Sequence, residues 1–291
     1  MQVHDVAGSE AGNPALSADA DNQCALFYKK QASIIHDFEK QIQGEVQMKA
    51  ILLAAGRGTR IARNVEMVPK STLPVDGEPL IRHSVRLLQA EGLGCVVCTG
   101  YCENKIRDAL AGVADVRYCY NPFFDITNSI ASLWFARDEL NDDLLVLNAD
   151  VFFSREILEL VIQDSRSPVM AIDQSRIREG DYFFYTALDG RIEKYGKGLP
   201  LEQRTCEYVG MAKIEKNFLP HFVERMEEMI KNQQHSAWWE NILYSYTDKH
   251  EKDIYTVDVE GRFWAEIDYF DDYERIINYI AKKKEMSAGC M

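Results

Sequence analysis

The chain has 291 residues, 46% hydrophobic and 27% charged, the composition of an ordinary globular protein long enough to bury a sizeable core. No apolar run approaches the roughly 20 residues of a membrane helix, and a formal net charge of −13 argues against general nucleic-acid binding, which needs a basic face. An acidic chain that binds a phosphorylated small molecule must therefore gather its cations at one place.

Residues 1–47 read as an N-terminal extension. Its start is polar and disorder-like; apolar residues at helical spacing (Ala25, Leu26, Ile34, Ile35, Phe38, Ile42) then predict an amphipathic helix over 23–43. That helix packs on the outside of the main domain or serves as a homodimer contact. The acidic start lacks the form of a secretory signal, so a cytoplasmic location is expected. Seven cysteines, an odd number, are expected as free and mostly buried thiols rather than a zinc site.

The main domain spans 48–285 and leaves a tail at 286–291. Strands are predicted over 49–54, 94–99, 115–120 and 143–148, and helices over 80–91, 103–110 and 128–140. This alternation means crossover connections, a mostly parallel sheet, and ligands at the carboxyl ends of the strands. Beyond Asp150 the pattern becomes mixed. A helix over 156–162, a strand over 169–173 and a hairpin, 182–188 with 191–195, around Asp189-Gly190 come first. Helices over 216–231 and 238–247, strands over 254–259 and 263–267, and a last helix over 269–284 follow.

Leu53-Ala54-Ala55-Gly56-Arg57-Gly58-Thr59-Arg60 follows the first strand directly. Small residues and two glycines allow a tight backbone that turns several N–H groups toward one point, an arrangement that binds anions. Arg57 and Arg60 add fixed positive charge and Thr59 a hydroxyl, while the extended Val68-Pro69 presents Lys70 to the same place. Three cations and an amide nest suit a nucleoside triphosphate. A dinucleotide fingerprint would need a small residue at Ile61, and the GxxxxGK[ST] loop is absent. Thr99, Gly100 and Tyr101, at the end of the second strand, are placed to flank the nucleobase. Asn128 and Ser129 either read its edge or cap the helix they begin.

The run Leu144-Leu-Val-Leu-Asn-Ala-Asp150 is a buried strand that ends in an acid. Asp150 there is an oxygen ligand for Mg2+ on a triphosphate, or an ordinary helix cap. Asn148-x-Asp150 is not the DxD of the sugar-nucleotide-dependent glycosyltransferases, the main competing enzyme reading. A non-catalytic nucleotide-binding regulator would have no need of Arg60, Lys70 and Asp150 together. Trp238, Trp239 and Glu240 start a late helix, and Trp264 and Glu266 share a late strand. With Tyr182 and Tyr185 they form either parts of the core or an aromatic and carboxylate site for a cationic head group.

Together these motifs resemble the sugar-phosphate nucleotidyltransferase superfamily, most of all its choline-phosphate and aminoalkylphosphonate cytidylyltransferase branch. The resemblance is carried by strand–LAAGRGTR–PK, by Leu73-Pro-Val-Asp-Gly-Glu-Pro-Leu80, by Asn128-Ser-Ile-Ala-Ser-Leu-Trp-Phe-Ala-Arg137 and by Phe263-Trp-Ala-Glu-Ile-Asp-Tyr269, and runs from Met48 to about Ile280. It implies an α/β, Rossmann-like, mostly parallel sheet of the GT-A-like type with a mixed β layer for the acceptor. It implies Mg2+ held by Asp150 and Asp268, with Arg60 and Lys70 catalytic and Lys70 near the α-phosphate. Glu193 and Lys194 become the acceptor-binding pair, and Gly210 the small residue that leaves the acceptor room. The implied reaction transfers CMP from CTP to phosphocholine or 2-aminoethylphosphonate and releases pyrophosphate. A sugar or polyol phosphate with UTP, dTTP or CTP is the alternative within the superfamily.

Overall fold

Ala50, Ile51 and Leu52 are wholly buried, as a strand covered on both faces must be, and they form the middle of β1 (Lys49–Leu53). The computed structural model describes residues 48–58 and 68–288; the helix expected over 23–43 lies outside them. After β1 come a single 3-10 turn (Lys70–Thr72), the short pair β2 (Pro74–Val75) and β3 (Glu78–Pro79), and α1 (Leu80–Ala90). Then β4 (Gly94–Thr99), α2 (Glu103–Ala109), β5 (Val116–Tyr120), α3 (Ser129–Phe135) and β6 (Leu144–Asn148) complete the alternating part. The remainder is β7 (Val151–Phe152), α4 (Arg155–Gln163), β8 (Val169–Asp173), β9 (Phe183–Thr186), β10 (Ile192–Gly196) and β11 (Cys206–Ile214). Helices α5 (Leu219–Lys231) and α6 (Asn241–Lys249), strands β12 (Tyr255–Asp258) and β13 (Ala265–Glu266), and α7 (Phe270–Ala288) close the chain.

Among the described residues nine strands form one sheet, ordered β10-β9-β11-β6-β1-β4-β5, with β8 paired to β11 and β12 to β8. The β6-β1-β4-β5 half is parallel throughout, while β11 runs antiparallel to β6, β8 and β9. The architecture is therefore α/β with a large, mainly parallel sheet and an antiparallel flank. Successive strand residues face opposite sides. Ile51, Val96 and Val146 meet α3, α5 and α6 on one side; Ala50, Val97 and Leu147 meet α1, α2 and α4 on the other. The same alternation separates Cys95 from Cys98. Their Cys-Val-Val-Cys spacing fits a paired-thiol motif, yet the two thiols are free, lie on opposite faces and are pushed upward in pKa by burial, Cys95 to about 12.

Three elements differ from expectation. The helix predicted over 128–140 breaks at Ala136, and Arg137–Glu139 is a 3-10 turn. The strand expected over 263–267 narrows to β13, which pairs Ala265 with Phe152 and Glu266 with Val151 of β7. β11 was not anticipated as a strand, because Glu207, Gly210 and Lys213 interrupt its apolar run, yet all nine of its positions are buried. Buried charges need partners. Glu207 takes a 2.6 Å hydrogen bond from Arg176 Nε, and Lys213 Nζ donates to Glu215 Oε1 and to the Asp164 carbonyl. Among the described residues no helix is long and apolar enough to cross a membrane.

Candidate active site

A cavity of about 360 Å3 opens where β1 and β6 end. The loop after β1 is bolted to its neighbours: Ala54 N donates to the Cys98 carbonyl, Tyr101 N to Ala55, and Ala149 N to Leu53. Leu53, Ala54, Ala55, Gly56 and Gly58 line the cavity. Gly58 has φ +59°, and a Cβ there would lie 2.6 Å from Lys70 Cγ, so only glycine lets the lysine stem cross the loop. Thr59 and Arg60 lie outside the described residues. Arg57 does not line the cavity; Asp125 binds its guanidinium twice, at 2.7 and 2.6 Å. Tyr101 and Phe124 flank that guanidinium, each ring centre 5.8 Å away. Thr99, Gly100 and Tyr101 lie behind the loop rather than on the cavity wall: Thr99 is fully buried and Gly100 abuts Ala55 and Phe124.

Pro69 begins the 3-10 turn that delivers Lys70, 8% exposed, to the cavity floor. Its ammonium donates to Asp268 Oδ1 at 2.6 Å and stands 3.5 Å from Asp150 Oδ2. The two acids, far apart in sequence, meet because β13 pairs with β7 and Ile267 N donates to the Asp150 carbonyl at 2.9 Å. Burial alone would lower the Lys70 pKa; the Asp150 and Asp268 carboxylates outweigh it and raise the value. Burial raises the Asp150 carboxyl, which Lys70 pulls back only in part. Burial, Asp150 and Asp268 push Glu266, also on the wall, well above the usual carboxylate range. Asp150 and Asp268 thus meet at one ammonium on the cavity wall, with the Glu266 carboxyl beside them.

Asn121, fully buried, sets the adjoining loop. Phe123 N donates to its Oδ1, and its Nδ2 donates to Thr127 Oγ1 and Ser132 Oγ at 3.1 and 3.0 Å. Asn128 caps α3 by accepting from Ser129 N at 2.8 Å, and Asn128, Ser129 and Ser132 all line the cavity. Capping and lining thus coincide at Asn128.

The other wall is aromatic. Tyr182 stacks on Tyr244 at 5.5 Å and meets Trp238 edge-on at 5.9 Å; Tyr208 and Glu240 complete that wall. The Tyr208 hydroxyl is buried beside the Glu240 carboxyl. Burial pushes the Glu240 carboxyl up to about 7. Lys197 closes the wall, donating to Asp181 Oδ2 at 2.9 Å and lying 5.4 Å from the Trp238 ring centre.

Of the expected acceptor groups, Trp238, Glu240 and Glu266 therefore reach the cavity, as does Tyr182. Trp239 does not, being wholly buried with Nε1 donating to Asn148 Oδ1; Trp264 is 4% exposed and donates to Asp173 Oδ2. Tyr185, Glu193 and Lys194 belong to the β9–β10 hairpin away from the cavity, where Lys194 donates to Gln203 and lies over the Tyr185 ring. Gly210, φ +96°, sits at a β-bulge, and a Cβ there would meet Val151 Cγ2 at 2.8 Å; it makes room for the neighbouring strand rather than for a ligand. Tyr208, Tyr244 and Lys197 had no motif to mark them, since tyrosines in buried segments read as core.

Comparison with known proteins fits this geometry. The chain is 25% identical to the choline-phosphate cytidylyltransferase of Haemophilus influenzae over 240 residues, 82% of this chain and 100% of that protein. It is 23% identical to the CTP:phosphoglutamine cytidylyltransferase of Campylobacter jejuni, across 78% of this chain and 98% of the other. The structure of CTP:phosphocholine cytidylyltransferase from Streptococcus pneumoniae superposes with a TM-score of 0.64 at 21% identity, covering 81% of this chain and 100% of that one. Residues 50–204 match the MobA-like NTP transferase domain, more than half of the chain, and the protein belongs to that family of nucleotidyltransferases.

Proposed function

We propose that the protein transfers CMP from CTP to a small phosphorylated or phosphonate acceptor with a cationic head group and releases pyrophosphate. The observation that carries this reading is one cavity with two unlike walls. On one side Lys70, Asp150 and Asp268 converge beside the loop after β1; on the other stand Tyr182, Trp238, Tyr244 and Glu240. Relatives named for cytidylyl transfer to phosphocholine and phosphoglutamine support CTP as the nucleotide. Aromatic faces next to carboxylates favour a cation, each well-placed ring contributing about 0.5–2 kcal/mol. The Tyr208 hydroxyl and the Glu240 and Glu266 carboxyls place hydrogen-bonding oxygens on the cavity and favour a head group with N–H donors.

An acceptor phosphate or phosphonate oxygen, already anionic, attacks the α-phosphorus in line. The new P–O bond forms as the bond from the α-phosphorus to the α–β bridging oxygen breaks, and pyrophosphate leaves with that electron pair. No general base is required, so the protein positions the reactants and neutralises charge. Lys70 donates to the α-phosphate oxygens as charge develops. Asp150 and Asp268 offer hard oxygen donors that suit Mg2+. Among the described residues no three acidic, His or Cys side chains close a cage by themselves, so water and phosphate oxygens would supply the remaining ligands. Asp150 and Asp268 would hold such an ion, which would supply charge neutralisation for phosphate oxygens.

The test is mass-spectrometric detection of the nucleoside-monophosphate adduct formed from CTP, UTP, dTTP, ATP or GTP with phosphoethanolamine, phosphocholine, 2-aminoethylphosphonate and several sugar and polyol phosphates. Adducts confined to CTP and cationic acceptors are expected. Efficient adduct formation with a sugar phosphate would return the aromatic wall to a purely structural role.

A further inference from the structure

The segment that carries Trp238 and Glu240 is stitched along the start of α3. Asn128 N donates to the His235 carbonyl at 2.9 Å, Ile130 N to Ala237 at 3.3 Å, and Trp239 N to Ser129 Oγ at 2.9 Å. The buried indole extends this seam. Trp239 Nε1 donates to Asn148 Oδ1 at 3.1 Å, and Asn148 Nδ2 donates to Glu240 Oε1 at 3.4 Å. An indole N–H can only donate, so it fixes which end of the Asn148 amide is oxygen and turns the NH2 toward Glu240. Gly210 packs close behind, with the position of a Cβ only 3.5 Å from Asn148 Nδ2. Ser129, Glu240 and Asn148 all line the cavity, Glu240 on its aromatic wall and Asn148 at the strand end that leads to Asp150.

We propose that Trp239 is a positioning residue that links the two walls: nucleotide bound at the start of α3 orders Glu240 through Ser129, Trp239 and Asn148, and so prepares the acceptor site. Trp239 touches neither substrate. The proposal rests on the nucleotidyl-transfer reading above. It requires that nucleotide and acceptor tighten each other's binding reciprocally, by a factor typical of coupled sites, about 5- to 150-fold. It also explains why a residue outside the cavity carries the only indole donor set against the Asn148 amide among the described residues.

The experiment uses the full chain and CTP with Mg2+. Hydrogen exchange should slow over 235–241 when CTP binds, with no acceptor present. Trp239→Phe keeps a ring but loses the donor. Its CTP affinity by calorimetry should stay within about twofold, its exchange over 235–241 should respond far less to CTP, and the KM for 2-aminoethylphosphonate should rise about tenfold with kcat changed little. Should that variant fold poorly, Asn148→Asp keeps the acceptor for Trp239 and sets an oxygen against Glu240. It should show the same KM rise, and the double variant should be no worse than Asn148→Asp alone, as for residues acting through one chain of contacts. Unchanged exchange in the wild type on CTP binding, or equal losses of CTP affinity and acceptor KM in Trp239→Phe, would overturn the link. Protection by CTP without turnover of any cationic acceptor would uphold the link and remove only the acceptor assignment; no CTP binding at all would overturn both.

Discussion

On the parallel side of the sheet, β1 and β6 end together, and the groups facing the cavity there come from the few residues after each strand: Ala54, Ala55 and Gly56 after β1, Asp150 after β6. On the antiparallel side the wall is collected from distant places. Tyr182 precedes β9, Tyr208 sits in β11, Trp238 and Glu240 precede α6, and Tyr244 lies within it. The parallel half thus presents a local device, and the antiparallel half an assembled surface. A local device is held by its own backbone. An assembled one depends on contacts such as the Ser129–Trp239–Asn148–Glu240 seam.

If that division is right, the largest losses belong to the parallel side. Asp150→Asn and Lys70→Met should each lower kcat by about 10^2- to 10^3-fold, the scale for removing one group that stabilises transition-state charge, with circular dichroism unchanged. Near-normal rates in a folded Asp150→Asn protein would break the division at its firmest point. On the assembled side, Glu240→Gln should lower kcat/KM for the acceptor about tenfold, the loss of one charge-assisted contact, and leave CTP affinity intact. The wild-type carboxyl, pushed up to about 7 by burial, is ionised only above that pH. Acceptor kcat/KM should therefore climb as pH rises through about 7, and Glu240→Gln should flatten the climb. The stability effect has the opposite sign. Because the folded value lies above the ordinary 4.5, this carboxyl's contribution is fully present below about 4.5 and is lost as pH rises through about 7. Thermal melts of the two proteins across that window would show it.

Smaller effects sharpen the same contrast. Tyr208→Phe removes a buried hydroxyl beside Glu240 on the cavity wall, so the acceptor KM should increase a few-fold, the scale of one hydrogen bond. The smallest difference separates two lysines. Lys197 lines the cavity and Lys194 is bound to Gln203 on the hairpin. Steady-state kinetics should find an altered acceptor KM in Lys197→Ala and none in Lys194→Ala; the reverse pattern would move the acceptor site to the hairpin.

The parallel half was readable in the sequence for physical reasons. Strands buried on both faces are continuous apolar runs, and the glycines of the loop after β1 and the Pro69 before Lys70 are rare enough to stand out. Asp150 was marked by its place at a strand end; Asp268 became visible only through the family resemblance, because its meeting with Asp150 depends on the two-residue pairing of β13 with β7. β11 was hidden by Glu207 and Lys213, whose charges are cancelled by partners from other elements. Three of the tryptophans show the limit of residue type as a guide: Trp238 is 41% exposed at the cavity, whereas Trp239 and Trp264 are buried donors to Asn148 and Asp173. Side-chain identity was legible, but the direction each ring faces is a tertiary fact.

The central claim, one cavity that joins a nucleotide to a cationic phospho-acceptor, is tested most directly by initial rates of pyrophosphate release. Wild-type protein would be given CTP and Mg2+ with 2-aminoethylphosphonate, and in parallel with ethylphosphonate, which has the same reacting group and no ammonium. Rapid release with the first and slow release with the second is the result this account predicts. Equal rates with the two, or release that neither acceptor stimulates, would contradict it.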